Sequence, residues 1–193
     1  MLTTRQMVET FKQIGITHVV GLPDNSTAAL FHELAADPDI YLITVTREGE
    51  AFATAAGLWM GGQHPLVLIQ NTGLLESGDA LRGTLTRMRI PVITLVSYRG
   101  YKSLPNPNDA SSRTWRNPNS MGEDASPSNL TPDDLARREM DSVAVLLEPT
   151  LRAWNIPYEI VSDNSELEKI IFAQQRATQE TRPTAIVIAE TIR

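Results

Sequence analysis

The chain contains no cysteine. That absence removes disulfides, thiolate metal ligands and a cysteine nucleophile together. Only three histidines are present: His18 in a strand-like stretch, His32 in a helical one and His64 in a turn. Their spacings do not make a metal site, and His18 reads as a core residue. No apolar run approaches the roughly 18 to 20 residues that span a bilayer, and the opening Met1-Leu2-Thr3-Thr4-Arg5-Gln6 has no apolar signal core, so a cytoplasmic protein is expected. The phosphate-binding P-loop, the dinucleotide glycine fingerprint and the Gly-x-Ser-x-Gly elbow are all missing. Positive charge is not in excess either: the formal net charge is −6. Nucleic acid and acidic membranes are therefore not expected partners.

What is present is a regular alternation. Met7, Val8, Phe11 and Ile14 recur at helical spacing over Thr4 to Ile14. Thr17 to Leu22 is a short β-branched strand. A helix over Thr27 to Ala36, a strand over Ile40 to Val45, a helix, an apolar strand Leu66 to Ile69, a helix over Gly73 to Arg89 and a strand over Ile90 to Ser97 follow. In the helix over 73–89, Leu74, Leu81, Leu85 and Met88 are expected to face inward. Residues 100–131, broken by Pro105, Pro107, Pro118 and Pro127, read as a long polar loop, the kind of segment that serves as a lid or binding loop. A helix then starts at Thr131-Pro132, runs to about Trp154 and is expected to be interrupted near Pro149. Tyr158 to Val161 (strand), Ser165 to Thr178 (helix) and Thr184 to Ala189 (strand) complete the chain. The 193 residues thus predict one α/β domain over 1–193, a three-layer structure with a six-stranded parallel sheet flanked by helices.

The stretch from 44 to 73 is the centre of the pattern. A strand runs into Thr46, the expected N-cap of a helix with Glu48 in its first turn, where negative charge is favoured. That helix carries small residues on every face (Ala51, Ala53, Thr54, Ala55, Ala56, Gly57), which predicts close packing on more than one side, and Gly61-Gly62 ends it. The next strand stops at a polar loop, Gln70-Asn71-Thr72-Gly73. In a parallel sheet both Glu48 and that loop lie at the carboxyl edge, where ligands bind. Helix physics alone is equally satisfied by Glu48 as an ordinary first-turn glutamate, by Asp24 as a helix cap and by Asn71-Thr72-Gly73 as a plain strand-to-helix turn.

Five stretches, taken in order, resemble the pyrimidine-binding domain of thiamine-diphosphate enzymes. They are Gly21-Leu22-Pro23-Asp24-Asn25; Arg47-Glu48-Gly49-Glu50-Ala51 leading through Ala55-Ala56-Gly57-Leu58 to Gln63-His64-Pro65; Ile69-Gln70-Asn71-Thr72-Gly73; Pro91 to Gly100; and Trp154 to Glu159. The branch they are most similar to is the phosphonopyruvate and sulfopyruvate decarboxylases. The resemblance implies thiamine diphosphate as cofactor, with Glu48 against a ring nitrogen of its aminopyrimidine. Pro23, Asn71, Thr72 and Gly73 would border that ring, and Asp24 would face the reacting centre and relay a proton. Arg47 and Glu50 depart from the asparagines usual there; Arg47 either holds Glu48 ionised or points to solvent. Arg99, Lys102, Arg113 and Arg116 are candidate cations for an anionic substrate group, set against a solvated basic loop.

Such enzymes hold the diphosphate through magnesium with a Gly-Asp-Gly and a later asparagine. This sequence has no Gly-Asp-Gly, Gly78-Asp79-Ala80 being the nearest run, and no metal ligands are assigned to it. The resemblance therefore implies an alpha-type subunit of a split enzyme. A beta-type subunit would bind diphosphate and Mg2+, the pyrimidine domain would self-associate, and the substrate would be a small anionic 2-oxo acid that is decarboxylated. The alternative from another class is a non-catalytic α/β binding or regulatory module that keeps the fold.

Overall fold

The structure, a computed structural model, describes residues 1–104, 136 and 141–193. The polar loop beyond residue 104 and the helix start at Thr131 lie outside the described residues. The elements are α1 (Thr4–Gln13), β1 (His18–Gly21), α2 (Ala28–Ala36), β2 (Tyr41–Thr44), α3 (Glu48–Met60), β3 (Pro65–Gln70), α4 (Asn71–Glu76), α5 (Gly78–Ala80), a π-helical turn (Leu81–Thr86), β4 (Ile93–Ser97), α6 (Ser142–Ala153), β5 (Tyr158–Val161), α7 (Glu168–Glu180) and β6 (Thr184–Ile188). The strands form one six-stranded sheet in the order β2-β1-β3-β4-β6-β5. Every pairing is parallel.

The central strands are buried on both faces, which is why β3, β4 and β6 read as largely apolar runs rather than alternating ones. Leu66, Leu68, Ile93, Leu95, Ile186 and Ile188 point to the side covered by α1, α2 and α7. Val67, Ile69, Val96 and Val187 point to the side covered by α3, the 71–86 segment and α6. The chain leaves β1 through α2 on the first side. It returns over the second side through α3 to place β3 on the other flank of β1. The loops after β1 and β3 therefore depart to opposite faces, and a crevice opens between them at the carboxyl edge of the sheet.

Several expectations need correction. The segment expected as one helix over 73–89 starts earlier, at Asn71, breaks at Ser77 and widens into the π-helical turn. Asn71, Thr72 and Gly73 are thus the first turn of a helix, not a loop. The wider turn shifts the phase of the residues beyond it: Leu74, Leu81 and Leu85 are buried as expected, while Met88 is 52% exposed. α6 continues through Pro149, since Val145, Leu147, Pro149 and Leu151 are all buried and their packing outweighs one lost backbone hydrogen bond. His18 is only half-buried and stacks on the exposed ring of Tyr41, with centroids 5.3 Å apart. α3 buries a single face, Ala51, Phe52, Ala55 and Ala56, and leaves Ala53 and Gly57 exposed in this chain. Among the described residues no helix is long and apolar enough to cross a membrane.

One close approach sets the width of the crevice. A Cβ added to Gly21, the last residue of β1, would coincide with the backbone carbonyl of Leu68 on β3. The same carbonyl accepts the Leu22 N–H at 3.2 Å. Gly21→Ala is expected to push β1 away from β3 and to cost about 1–3 kcal/mol, the usual range for overpacking a rigid core. Urea unfolding of the purified chain, monitored by far-UV circular dichroism, measures it.

Candidate active site

The crevice between the β1 and β3 loops holds a cavity of about 300 Å3 lined by Leu22, Pro23, Asp24, Asn25, Glu48 and Gln70. Three sequence-derived candidates, Pro23, Asp24 and Glu48, are thereby brought together from two separate loops. Glu48 is the first residue of α3 and is half-buried. Its neighbour Glu50 does the capping. Glu50 accepts from the Thr46 N–H at 3.0 Å, the Thr46 hydroxyl at 2.9 Å and the Arg47 N–H at 3.3 Å. Those bonds hold the Glu50 carboxyl below the usual carboxylate range. Thr46 is accordingly not the N-cap: Arg47 occupies that position with extended backbone, and the Thr46 side chain donates to Glu50 instead.

With the helix mouth satisfied by Glu50, the Glu48 side chain is available for something else. It lies directly over Gly73 in the first turn of α4, where an added Cβ would fall onto its Cγ and Cδ. Among the described residues no hydrogen-bond donor reaches its carboxylate. Arg47, the neighbour whose direction was open, turns away and pairs with Glu76 at the end of α4. That ion pair pulls the Glu76 carboxyl below its ordinary value, the Arg47 hydrogen bond being the largest cause.

Asp24 lies opposite in a tight turn. Its Oδ1 accepts the Ser26 N–H at 2.6 Å, and its Oδ2 accepts the Thr27 hydroxyl at 3.0 Å and the Ser97 hydroxyl at 2.7 Å. It is both a turn organiser and a wall of the cavity. Asn71 and Thr72 do not line the cavity. Asn71 is fully buried, and its Nδ2 donates to the Arg99 carbonyl at 2.9 Å, tying α4 to the chain beyond β4. The exposed Thr72 donates its hydroxyl to Gln70 Oε1 at 3.0 Å.

Leu22, Asn25 and Gln70 line the cavity but were not singled out from sequence. Gln70 carried a usable signal: it continues the face of Leu66 and Leu68 and is a polar residue ending a buried strand at the carboxyl edge. Arg99 and Lys102 are not part of this cavity. They line a neighbouring one of about 210 Å3 beyond β4 and β6. There Arg99 pairs with Asp141 at 2.9 Å and Lys102 with Glu190 at 2.6 Å. Arg113 and Arg116 lie outside the described residues.

Residues 1–117 match the family described as thiamine pyrophosphate enzyme, N-terminal TPP binding domain. The chain belongs to this family. As a thiamine pyrophosphate enzyme N-terminal domain it has curated relatives of two kinds. It is 35% identical over 100 residues to a phosphonopyruvate decarboxylase of Streptomyces viridochromogenes, a match covering 52% of this chain and 25% of that protein. It is 37% identical over 89 residues to the sulfopyruvate decarboxylase subunit alpha of Methanothermobacter thermautotrophicus, covering 46% of this chain and 54% of that protein. The chain thus spans between a quarter and about half of the lengths of these relatives. In fold it is similar to benzoylformate decarboxylase from Polynucleobacter necessarius, with a TM-score of 0.63 over 97% of this chain and 30% of that one, at 14% identity.

The Arg47–Glu76 pair has a pH signature. Glu76 is depressed from an ordinary value of 4.5, so its contribution to stability is complete above that pH and is lost as pH falls through the lower folded value. Arg47→Ala is expected to melt slightly below wild type at pH 7, the effect being small because the pair is exposed. The difference should persist down to the ordinary glutamate range and close below it. Paired thermal melts between pH 7 and pH 3 check this.

Proposed function

We propose that this chain is the pyrimidine-binding, alpha-type subunit of a split thiamine-diphosphate-dependent 2-oxo acid decarboxylase, acting on a sulfopyruvate-like or phosphonopyruvate-like acid. The observation that carries this reading is the Glu48 carboxylate laid over Gly73 at the mouth of α3, facing a cavity with Leu22 and Pro23 on its wall. That donor set fits one end of the cofactor. A flat, apolar-edged heterocycle needs an apolar wall, a bare backbone to lie against and a carboxyl group for its ring nitrogen. These needs correspond to Leu22 and Pro23, to Gly73 and to Glu48.

Thiamine diphosphate, when bound, supplies the electron sink for the carbon–carbon bond broken in decarboxylation. The residues of this chain have narrower tasks. Glu48 holds a proton between its carboxylate and the ring nitrogen. Gly73 keeps that carboxylate in place by leaving no room for a side chain beneath it. Leu22 and Pro23 exclude water from the pair. Asp24, on the facing wall, handles a proton at the substrate end. Asn71 acts at one remove, by anchoring the first turn of α4 that carries Gly73, and Thr72 by orienting Gln70.

A beta-type subunit supplies the diphosphate and Mg2+ contacts in this proposal. Support comes from the relatives named as subunit alpha. Self-association across the pyrimidine domain belongs to the same proposal, and the small exposed face of α3 at Ala53 and Gly57 suits it. The charged 2-oxo acid would approach from the open side of the cavity.

The decisive experiment is co-expression with a neighbouring reading frame that carries Gly-Asp-Gly, followed by measurement of carbon dioxide release from a panel of 2-oxo acids. Glu48→Gln is expected to lower kcat about 100-fold or more, the scale of a lost proton-transfer group. Near wild-type turnover in that variant would show that Glu48 has another role. Gly73→Ala, which drives a methyl group into Glu48, is expected to weaken thiamine diphosphate binding about tenfold, or roughly 1.4 kcal/mol, by fluorescence titration.

A further inference from the structure

Two carboxylates face the same cavity and are held very differently. Glu48 accepts no hydrogen bond among the described residues, whereas Asp24 accepts three. Two of the three are local. The Ser26 N–H and the Thr27 hydroxyl belong to the turn that Asp24 itself starts, as aspartates in such turns commonly arrange. Thr27 also accepts the Asp24 N–H at 3.3 Å, which commits its own proton to Oδ2.

The third bond has no local explanation. Ser97 lies 73 residues further along the chain and places its hydroxyl 2.7 Å from the same Oδ2. Ser97 is the last residue of β4 and is completely buried. It is paired on one side with Gln70 of β3 and on the other with Ile188 of β6. Its position is therefore fixed by the sheet, while the loop carrying Asp24 is not. A turn alone sets where an aspartate begins; a bond to the sheet edge sets where its carboxylate ends. Gln70, a wall of the cavity, is the register partner of Ser97, so the bond is made at the base of the site.

We propose that Ser97 is a positioning residue for Asp24: the hydroxyl on β4 pins the carboxylate at the sheet edge in the orientation in which it faces the cavity. This rests on the reading above that Asp24 handles a proton there.

The test uses Ser97→Ala, Ser97→Thr, Asp24→Asn and the Ser97→Ala/Asp24→Asn double variant. Each is assayed as the full chain assembled with its diphosphate-binding partner, with sulfopyruvate as the probe substrate. Ser97→Ala is expected to lower kcat about tenfold, the scale of one lost hydrogen bond to a charged group. KM and the half-saturating thiamine diphosphate concentration should stay within about twofold, because Glu48 and Gly73 are untouched. Ser97→Thr should restore most of kcat. The double variant should be no slower than Asp24→Asn alone, since the serine acts through the aspartate. Thermal midpoints of the cofactor-free chain should show the same non-additivity, a readout that needs no turnover.

Wild-type kcat in Ser97→Ala alongside a slow Asp24→Asn overturns the proposal and leaves the functional reading intact. Additive losses in the double variant also overturn it and assign Ser97 to general packing. A neutral Asp24→Asn overturns the role of Asp24 and the proposal together. No turnover by the wild-type assembly on any acid overturns the functional reading, while the thermal cycle still reports on the Ser97–Asp24 coupling. Should Ser97→Ala fail to fold, Ser97→Cys, a weaker donor of similar size, is expected to give intermediate kcat, and unchanged kcat there overturns the proposal equally.

Discussion

The site depends on a contact between a side chain and the absence of one. Glu48 projects from the mouth of α3 and rests where the side chain of residue 73 would be. Neither residue is unusual by itself. The contact exists because β2 feeds α3 on one side of the crevice and β3 feeds α4 beside it, so that the first turns of two helices meet. Among the described residues, a carboxylate placed this way is restrained by shape rather than by hydrogen bonds, and its oxygens keep that bonding capacity for whatever enters the cavity. The cost of closing the helix end is met elsewhere, by Glu50 two residues on.

A division of labour among acidic residues follows. Glu50 satisfies backbone donors, Glu76 neutralises Arg47, and Asp24 shapes its turn and meets Ser97. Glu48 does none of these. Four carboxylates on three segments, the turn after β1, the start of α3 and the end of α4, thus differ in role because their surroundings differ, not because of residue type. The same logic separates Gln70 from Asn71. They are adjacent in sequence, yet one faces the cavity and the other is sealed beneath it, holding the Arg99 carbonyl.

Much of the fold was legible because buried parallel strands leave a plain trace. Leu66 to Ile69 and Ala185 to Ile188 are apolar without interruption, Ile93 to Val96 is broken only by Thr94, and the helical spacing of Met7, Val8 and Phe11 marks α1. What was not legible has a common physical origin in contacts between distant residues. The π-helical turn depends on how the 71–86 segment packs under α3, and it moved Met88 to the surface without altering the periodic pattern that predicted otherwise. The direction of Arg47 was settled by Glu76, 29 residues away. In the site, Glu48, Pro23, Asp24 and Gly73 were named from resemblance and come together. Asn71 and Thr72 were named on the same grounds and sit one layer back, since a helix begins where a loop was expected. Ser97 gave no local sign at all, because its meaning lies in a bond to a different strand's loop.

The strand order carries a consequence for how the chain acquires its shape. β6 is the last strand in sequence, yet it lies between β4 and β5. β4 therefore keeps a raw edge, and β5 has nothing to hydrogen-bond, until residues 184–188 have left the ribosome. Every contact that seals this half of the sheet is long in sequence, which slows folding and leaves an adhesive strand exposed in the meantime. A nascent chain stalled shortly before residue 184 would present β4 to chaperones or to other copies of itself, even though the crevice between β1 and β3, made wholly from the first half of the chain, had every strand it needs.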